Sequence, residues 1–342
     1  MKKNLIIAVI ISIFILFSVG SSATQKTINK NSTFLNTQLS NNNAPTWDIG
    51  TVWTYNVDTI DFTFSEVENR YIYMYISTDE LKVEVTDQSE SSYFTEISTQ
   101  SLSVKMDINL DLNLERGPII LTLNFSNATL NGLIEFNKED LGILNVECTI
   151  TGLIELESLP IEIPEFILNI LPTIPITINM EASFENPFVI IDFPLNTEKT
   201  WGLQSNNITV DGTIESVYFK LAYILNKVAN IFGKELIPQE LAQFLPIMDI
   251  SEMLESRGIS NIFEITKTDV IEGRPVFEFT GTDTITVEAG TYNTQYISIV
   301  DDIGVMHYSP DTKSVIQISG NIKEFIPIIE NIKVELKDAQ IP

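Results

Sequence analysis

The sequence has 342 residues, 44 % of them hydrophobic, so it is long enough to bury one large core or two joined ones. Its 46 acidic residues outnumber 20 basic ones, which gives a formal net charge of −26 at pH 7. Such an acidic excess argues against nucleic acid and anionic lipid surfaces as partners, because both select basic patches. Cys148 is the only cysteine, which excludes an internal disulfide.

The N-terminus has the pattern of an export signal. Lys2 and Lys3 precede a largely apolar run over residues 5–19, and small residues follow as far as Ala23. This order is typical of a secretory signal peptide over residues 1–23, cleaved after Ala23. An uncleaved N-terminal anchor is the alternative, although the run is shorter than the roughly 20 residues that span a bilayer. Both interpretations predict an extracellular protein, secreted or tethered to the outer face of the cytoplasmic membrane.

A flexible polar linker is predicted over residues 24–46, which are rich in Asn, Ser and Thr and have no apolar period. A β-rich body follows over residues 47–342. Its division into two halves, 47–190 and 191–342, is left open. Acceptor patterns for N-glycosylation occur at four positions, Asn31, Asn124, Asn127 and Asn207.

Alternation of apolar and polar residues is clearest from Leu102 to Leu114 and from Leu144 to Leu156. Each run predicts a long strand with one buried face, and Cys148 falls on the apolar face of the second. Further strands are predicted at Thr51–Phe64, Tyr71–Ile76, Leu81–Thr86, Ser92–Ile97, Ile119–Phe125, Leu130–Phe136, Thr173–Phe184, Ile208–Ile214, Val276–Phe279, Thr284–Val287, Thr291–Val300, Val305–Tyr308, Val315–Ile318 and Ile332–Leu336. Turns are predicted at Gly117-Pro118, Asn131-Gly132, Gly273, Ala289-Gly290 and Pro310-Asp311. The pattern indicates a mainly β fold, with a large curled antiparallel sheet that is half-barrel-like.

Two segments depart from strand periodicity. Apolar residues at three- and four-residue spacing over 216–232 predict a helix that ends at Gly233, and Pro238 opens a second helical stretch. The resulting small helical insertion, 216–257, is expected to lie across the mouth of the sheet, because its apolar stripe has to be buried. Four prolines interrupt the apolar segment 156–180, which predicts a kinked connection, either packed inside or exposed as a contact surface.

The sequence contains no recognisable catalytic site. His307 is the only histidine, which disfavours His-based triads and zinc sites of several histidines. Cys148 is expected to be a small buried hydrophobe, because reactive thiols need an electropositive, partly exposed setting. Asp107, Asp111 and Glu115 share one face of a strand, where calcium binding is conceivable. We predict a solvated strand face there, with no metal site and no cofactor.

Aromatic motifs recur along the body. They are Gly50-Thr51-Val52-Trp53-Thr54-Tyr55, then Phe193-Pro194-Leu195 leading to Trp201, then Ala289-Gly290-Thr291-Tyr292, and finally Tyr308-Ser309-Pro310. They resemble elements shared by a scattered set of uncharacterised exported prokaryotic β-rich proteins. More distantly, the sequence is similar to curled-sheet lipoprotein-carrier-like proteins, whose half-barrel with helices across its mouth holds acyl chains. The resemblance implies no catalytic residues. The residues alone predict that these aromatics are core anchors at strand starts.

The leading hypothesis is a non-enzymatic extracellular protein that binds an apolar or amphiphilic molecule in a cavity under the helical insertion. The expected lining residues are Phe219, Tyr223, Phe232, Phe244 and Met248. The alternatives are a structural or adhesive cell-surface protein and a carboxylate-dependent hydrolase. No nucleic-acid partner is predicted, and membrane contact is expected only through an uncleaved N-terminal segment. The oligomeric state is left open.

Overall fold

The structure, a computed structural model, describes residues 44–67, 70–110, 119–158, 174–196, 198–202, 206, 208–216, 277–299, 303–321 and 329–342. In these ranges there is no helix with the length and apolarity needed to cross a bilayer. The predicted signal peptide and the helical insertion beyond residue 216 lie outside the described residues. So do residues 159–173, which hold three of the four prolines of the kinked connection.

Thirteen β-strands make up most of the described chain. They are β1 (Val52–Val67), β2 (Arg70–Gln88), β3 (Ser92–Leu110), β4 (Ile119–Asn137), β5 (Ile143–Ser158), β6 (Ile174–Phe188), β7 (Thr200–Trp201), β8 (Ile208–Ser216), β9 (Phe277–Val287), β10 (Gly290–Ile299), β11 (Gly304–Ser309), β12 (Ser314–Asn321) and β13 (Ile329–Gln340). All belong to one antiparallel sheet. The predicted mainly β fold with a large antiparallel sheet is therefore confirmed.

Strands that follow one another in the chain are mostly neighbours in the sheet. The order is β7-β9-β10-β11-β12-β13-β1-β2-β3-β4-β5-β6-β8. The chain starts at β1 inside the sheet, meanders to the β8 edge, and reaches β1 again from the other edge through β9 to β13. The last strand, β13, therefore hydrogen-bonds the first, β1.

The sheet curls so that its two edges approach each other. After β6, the chain pairs with β9 through β7 and then returns to pair with β6 through β8. Seven residue steps separate Trp201 from Ile208, so these points on the two edges lie within roughly 25 Å of each other. The turn between β9 and β10 also folds back onto β13, where the Ala289 N–H donates a 3.4 Å hydrogen bond to the Leu336 carbonyl.

Several predicted strands merge into longer ones, and one predicted turn is wrong. Strand β4 continues through Asn131-Gly132, and Gly132 pairs with Ile97 on β3 and with Cys148 on β5. A Cβ atom at Gly132 would lie 2.4 Å from the Glu147 carbonyl oxygen. Glycine therefore permits a close approach of two strands here, rather than a reversal of the chain.

The core follows the inner face of the curled sheet. Its deepest part, which we call the base, is the end where β1 and β3 begin and where β2 and β4 end. Trp53, Tyr55 and Ile134 are 0 % exposed there. The opposite end of β1 to β5, which we call the far end, extends beyond the short strands of the C-terminal half. The long strands of the first half therefore reach past the deepest part of the core.

Candidate functional site

The turn between β11 and β12 lies at the base and forms hydrogen bonds there. Trp53 Nε1 donates a buried 3.0 Å hydrogen bond to the Thr312 carbonyl oxygen. The Thr312 and Ser314 hydroxyls lie 2.9 Å apart. Burial raises the pKa of Tyr55, partly offset by its hydrogen bond with Ser314. The first and last aromatic motifs of the sequence therefore meet at this turn.

A buried lysine holds the chain that enters β1. Lys313 is only 2 % exposed, and its Nζ donates a 2.7 Å hydrogen bond to the Thr46 carbonyl oxygen. An Asp48 carboxylate oxygen lies 3.5 Å from the same nitrogen. Burial lowers the pKa of Lys313, and Asp48 opposes this shift. Lys313 therefore clamps the start of the described chain to the base.

The other aromatic motifs also contact the core, Trp201 as a buried residue and Phe193 and Tyr292 as partly buried ones. The Phe193 and Tyr308 rings meet edge to face with centroids 5.3 Å apart. Trp201 Nε1 donates a 2.9 Å hydrogen bond to the Ile190 carbonyl oxygen, and its ring stacks on Phe277. Burial of Trp53, Tyr55, Trp201 and Tyr308 confirms that they are core anchors. Tyr308 lies near the end of β11, so the prediction that all of these anchors stand at strand starts is wrong for this residue.

The two candidate nucleophilic or basic side chains are both buried. Cys148 lies on the inner face of β5, and burial raises the pKa of its thiol to about 12, so the thiol is protonated at neutral pH. His307 Nδ1 lies 3.2 Å from the Thr294 hydroxyl, and burial lowers its pKa while Asp283 opposes this shift. The expectation that Cys148 is a buried hydrophobe is confirmed.

Burial of the inner face is uneven towards the far end. Ile76 is 9 % exposed and Phe125 is 8 % exposed, whereas Ile60, directly opposite Ile76, is 0 % exposed and Met74 is 4 % exposed. Met106 on β3 is only partly buried and packs against the core. Met74 lies directly opposite Met106 across β2 and β3. The apolar inner face therefore continues to the far end, where Met106 is one of its partly buried members.

The outer face carries polar side chains in rows across the strands. Of the carboxylates considered for calcium, Asp107 accepts a 2.7 Å hydrogen bond from Thr122, while Asp111 and Glu115 lie outside the described residues. The part of the chain that the structure describes contains no group of three His, Cys, Asp or Glu side chains suited to a metal ion.

The predicted lining residues Phe219, Tyr223, Phe232, Phe244 and Met248 all lie outside the described residues, so their role stays a prediction. Of the glycosylation candidates, Asn124 lies on β4 and Asn127 is exposed, while Asn31 and Asn207 are not described. The partly buried Met106 of the inner face was missed by sequence reasoning. Period-two alternation marks it as inward-facing, but it does not reveal its incomplete burial.

Comparisons with known proteins do not show a family for this chain. No protein-family model matches this chain, and no similar curated protein or solved structure was found. The geometry of the curled sheet is therefore the basis for a functional proposal.

Proposed function

We propose that this protein is an exported, non-enzymatic binder of an apolar or amphiphilic molecule, held against the inner face at the far end of the sheet. The export part of the proposal rests on the basic and apolar pattern of residues 1–23. The binding part rests on one observation, which is that the apolar inner face reaches the far end, where Met106 is only partly buried.

The chemistry of this face favours an apolar ligand. The inward-facing residues of β3 at the far end are Leu102, Val104 and Met106, and their neighbours on β2 are Met74 and Ile76. None of these side chains offers a hydrogen bond of the strength that a polar ligand group needs, and burying such a group without a partner costs several kcal/mol. A hydrocarbon chain is the ligand that such a surface accepts without that cost.

The methionines add adaptability to this surface. Met74 and Met106, which lie directly opposite each other, have unbranched, polarisable side chains, which fill irregular space and suit surfaces that accept ligands of varying shape. A surface of this composition favours a class of amphiphiles over one precisely shaped ligand. The polar group of such a ligand would remain at the far end of the sheet, in contact with water.

The test compares neighbouring residues on opposite faces of β3. Met106→Gln places an amide on the inner face, whereas Lys105→Gln places the same group on the outer face. With cis-parinaric acid as a fluorescent probe, we expect Met106→Gln to weaken binding roughly 5- to 50-fold, about 1–2 kcal/mol, because the amide loses hydration. Lys105→Gln should change the affinity less than about 2-fold.

Circular dichroism and thermal unfolding of both variants establish that they fold. Folded wild-type protein that does not bind the probe would refute the proposal. So would equal affinities of the wild type and a folded Met106→Gln variant.

A further inference from the structure

Two tyrosines stand out on the outer face of the far end. Tyr73 and Tyr75 project from the same side of β2, and their rings stack with centroids 5.9 Å apart. Tyr75 is 39 % exposed and, with Ile49, is one of two exposed large hydrophobic residues in the described part of the chain. A stacked aromatic pair with one exposed ring, on an otherwise polar sheet face, is a feature that solubility does not require.

Carboxylates surround this pair on three strands. Asp61 on β1 lies directly opposite Tyr75, and Asp107 on β3 lies directly opposite Tyr73. Glu330 on β13 accepts a 2.8 Å hydrogen bond from the Tyr73 hydroxyl, which reaches across β1. We refer to Tyr73, Tyr75, Asp61, Asp107 and Glu330 together as the tyrosine–carboxylate face.

The surroundings of Tyr75 are electronegative. Its pKa is raised first by partial burial and then by Asp61, Tyr73, Asp107 and Glu330. The opposing charge comes from Lys105, which is exposed and lies directly opposite Tyr75 across β2 and β3. Among the described side chains, three carboxylates against one ammonium leave the face negative, in keeping with the −26 charge of the whole chain.

We propose that the tyrosine–carboxylate face docks an arginine-bearing segment of a partner protein. This inference goes beyond the proposed function, because it concerns the opposite face of the sheet. A guanidinium group is planar, stacks on aromatic rings, and pairs with carboxylates through two parallel hydrogen bonds. The face presents both elements next to each other, with Tyr75 beside Asp61 and Tyr73 beside Asp107.

The shape of the face selects a protein partner over a small cation. Small quaternary ammonium ions are held where aromatic rings enclose them. Here the two rings lie on an open sheet surface, flanked along the strands by exposed Ser103 and Asn331. An extended segment can lie across such a surface with every second side chain facing the sheet.

The acidic groups already have partners within the sheet, and a docked guanidinium would add to these bonds. Asn331 Nδ2 donates a 3.0 Å hydrogen bond to Asp61, and the Thr59 hydroxyl donates to the other oxygen of the same carboxylate. Thr122 donates to Asp107. These bonds fix the carboxylates in place, and each carboxylate retains lone pairs that can accept from a guanidinium.

The experiment measures binding of two fluorescein-labelled hexapeptides, one of alternating Arg and Gly and one of alternating Lys and Gly, by anisotropy at 150 mM salt. We expect the arginine peptide to bind at least 5-fold more tightly, because only guanidinium groups stack and pair bidentately. Tyr75→Ser and Asp107→Asn should each weaken arginine-peptide binding at least 5-fold. Lys105→Gln should strengthen it about 2- to 5-fold, because it removes the competing charge.

Glu96→Gln is the matched control for charge. It changes the net charge as Asp107→Asn does, but it lies eleven residues away along β3, roughly 35 Å. Its effect should stay below 2-fold. Equal binding of the two peptides, or an unchanged affinity in folded Tyr75→Ser, would show that the peptide is attracted only by the general negative charge. Either result would overturn the proposal. Displacement of the peptide by millimolar tetramethylammonium would overturn it in favour of a small-cation site.

Binding of cis-parinaric acid by the same variants separates the two proposals. Tyr75→Ser should leave it unchanged, while Met106→Gln should leave arginine-peptide binding unchanged. Failure of one proposal therefore leaves the other measurable.

Discussion

Burial pushes the titratable side chains of the core towards their neutral forms. It raises the pKa values of Tyr55 and Cys148, and it lowers those of His307 and Lys313. In all four, desolvation is the largest cause, because a charged group loses more hydration than a neutral one. The direction of each shift fixes how the side chain contributes to stability as pH changes.

His307 should make the protein less stable in mild acid. Its pKa is lower in the folded state than the unperturbed value of about 6.5, so below that pH the unfolded chain binds a proton that the folded chain does not. The contribution of His307 is therefore fully present above about pH 6.5 and is lost as pH falls towards the folded pKa. Urea unfolding of the wild type and His307→Asn at pH 5 and pH 7.5 should show a smaller loss in the variant.

The single histidine permits a direct check of this prediction. An NMR titration of the imidazole protons reports His307 without overlap from other histidines. A folded-state pKa at or above 6.5, together with equal pH dependence in the two proteins, would contradict the argument.

At the scale of strands, the sequence alone located most of the sheet. The alternation in 144–156 corresponds to β5, and the segments Ser92–Ile97 and Leu102–Leu114 fall on the single strand β3 as far as it is described. A register irregularity between Thr99 and Leu102 separates the two alternating patterns. Each half keeps its own period, so local reasoning predicts two strands where the backbone forms one.

The candidate surfaces were less predictable because they depend on register between distant segments. Tyr75 meets Asp61 and Lys105 only through the pairing of β1, β2 and β3, and Glu330 joins them from the other end of the chain. Period-two alternation assigns each residue to a face but does not align one strand with the next. The aromatic motifs were recognisable as anchors, whereas the hydrogen bond from Trp53 to Thr312 required the topology.

Gly132 should be among the least replaceable positions of the strands. An added methyl group would lie 2.4 Å from the Glu147 carbonyl oxygen and 2.8 Å from Ile97 Cδ1, so the pairing of β4 with β5 would have to shift. We expect Gly132→Ala to lower the free energy of unfolding by about 2–4 kcal/mol, as measured in urea.

The neighbouring residue provides the control for Gly132. Asn131 is exposed on the same strand, and Asn131→Ala should stay within about 0.5 kcal/mol of the wild type. Equal stability of the two variants would show that β4 and β5 do not approach each other as described.

At the scale of the whole molecule, the pairing of β1 with β13 holds the two arms of the sheet together. It joins the first and last strands inside the sheet, so both arms of the meander depend on a contact between opposite ends of the chain. Contacts of such long sequence separation form late and slow the folding of β-proteins. The same pairing brings the ends of the body together, since a Cβ at Gly50 would lie 3.7 Å from Pro342 Cγ.

A circular permutant tests this topology. Joining Pro342 to Ala44 through a short Gly-Ser linker and opening the chain at the exposed turn residue Glu90 keeps every strand pairing intact. We expect the permutant to keep the β-sheet circular dichroism spectrum and to unfold within about 2 kcal/mol of the wild-type free energy. Deletion of residues 329–342 is the counterpart, because it removes β13 and leaves β1 and β12 as unpaired edges that invite aggregation. A soluble, fully folded deletion variant, or a permutant that fails to fold, would contradict the central place of the β1–β13 pair.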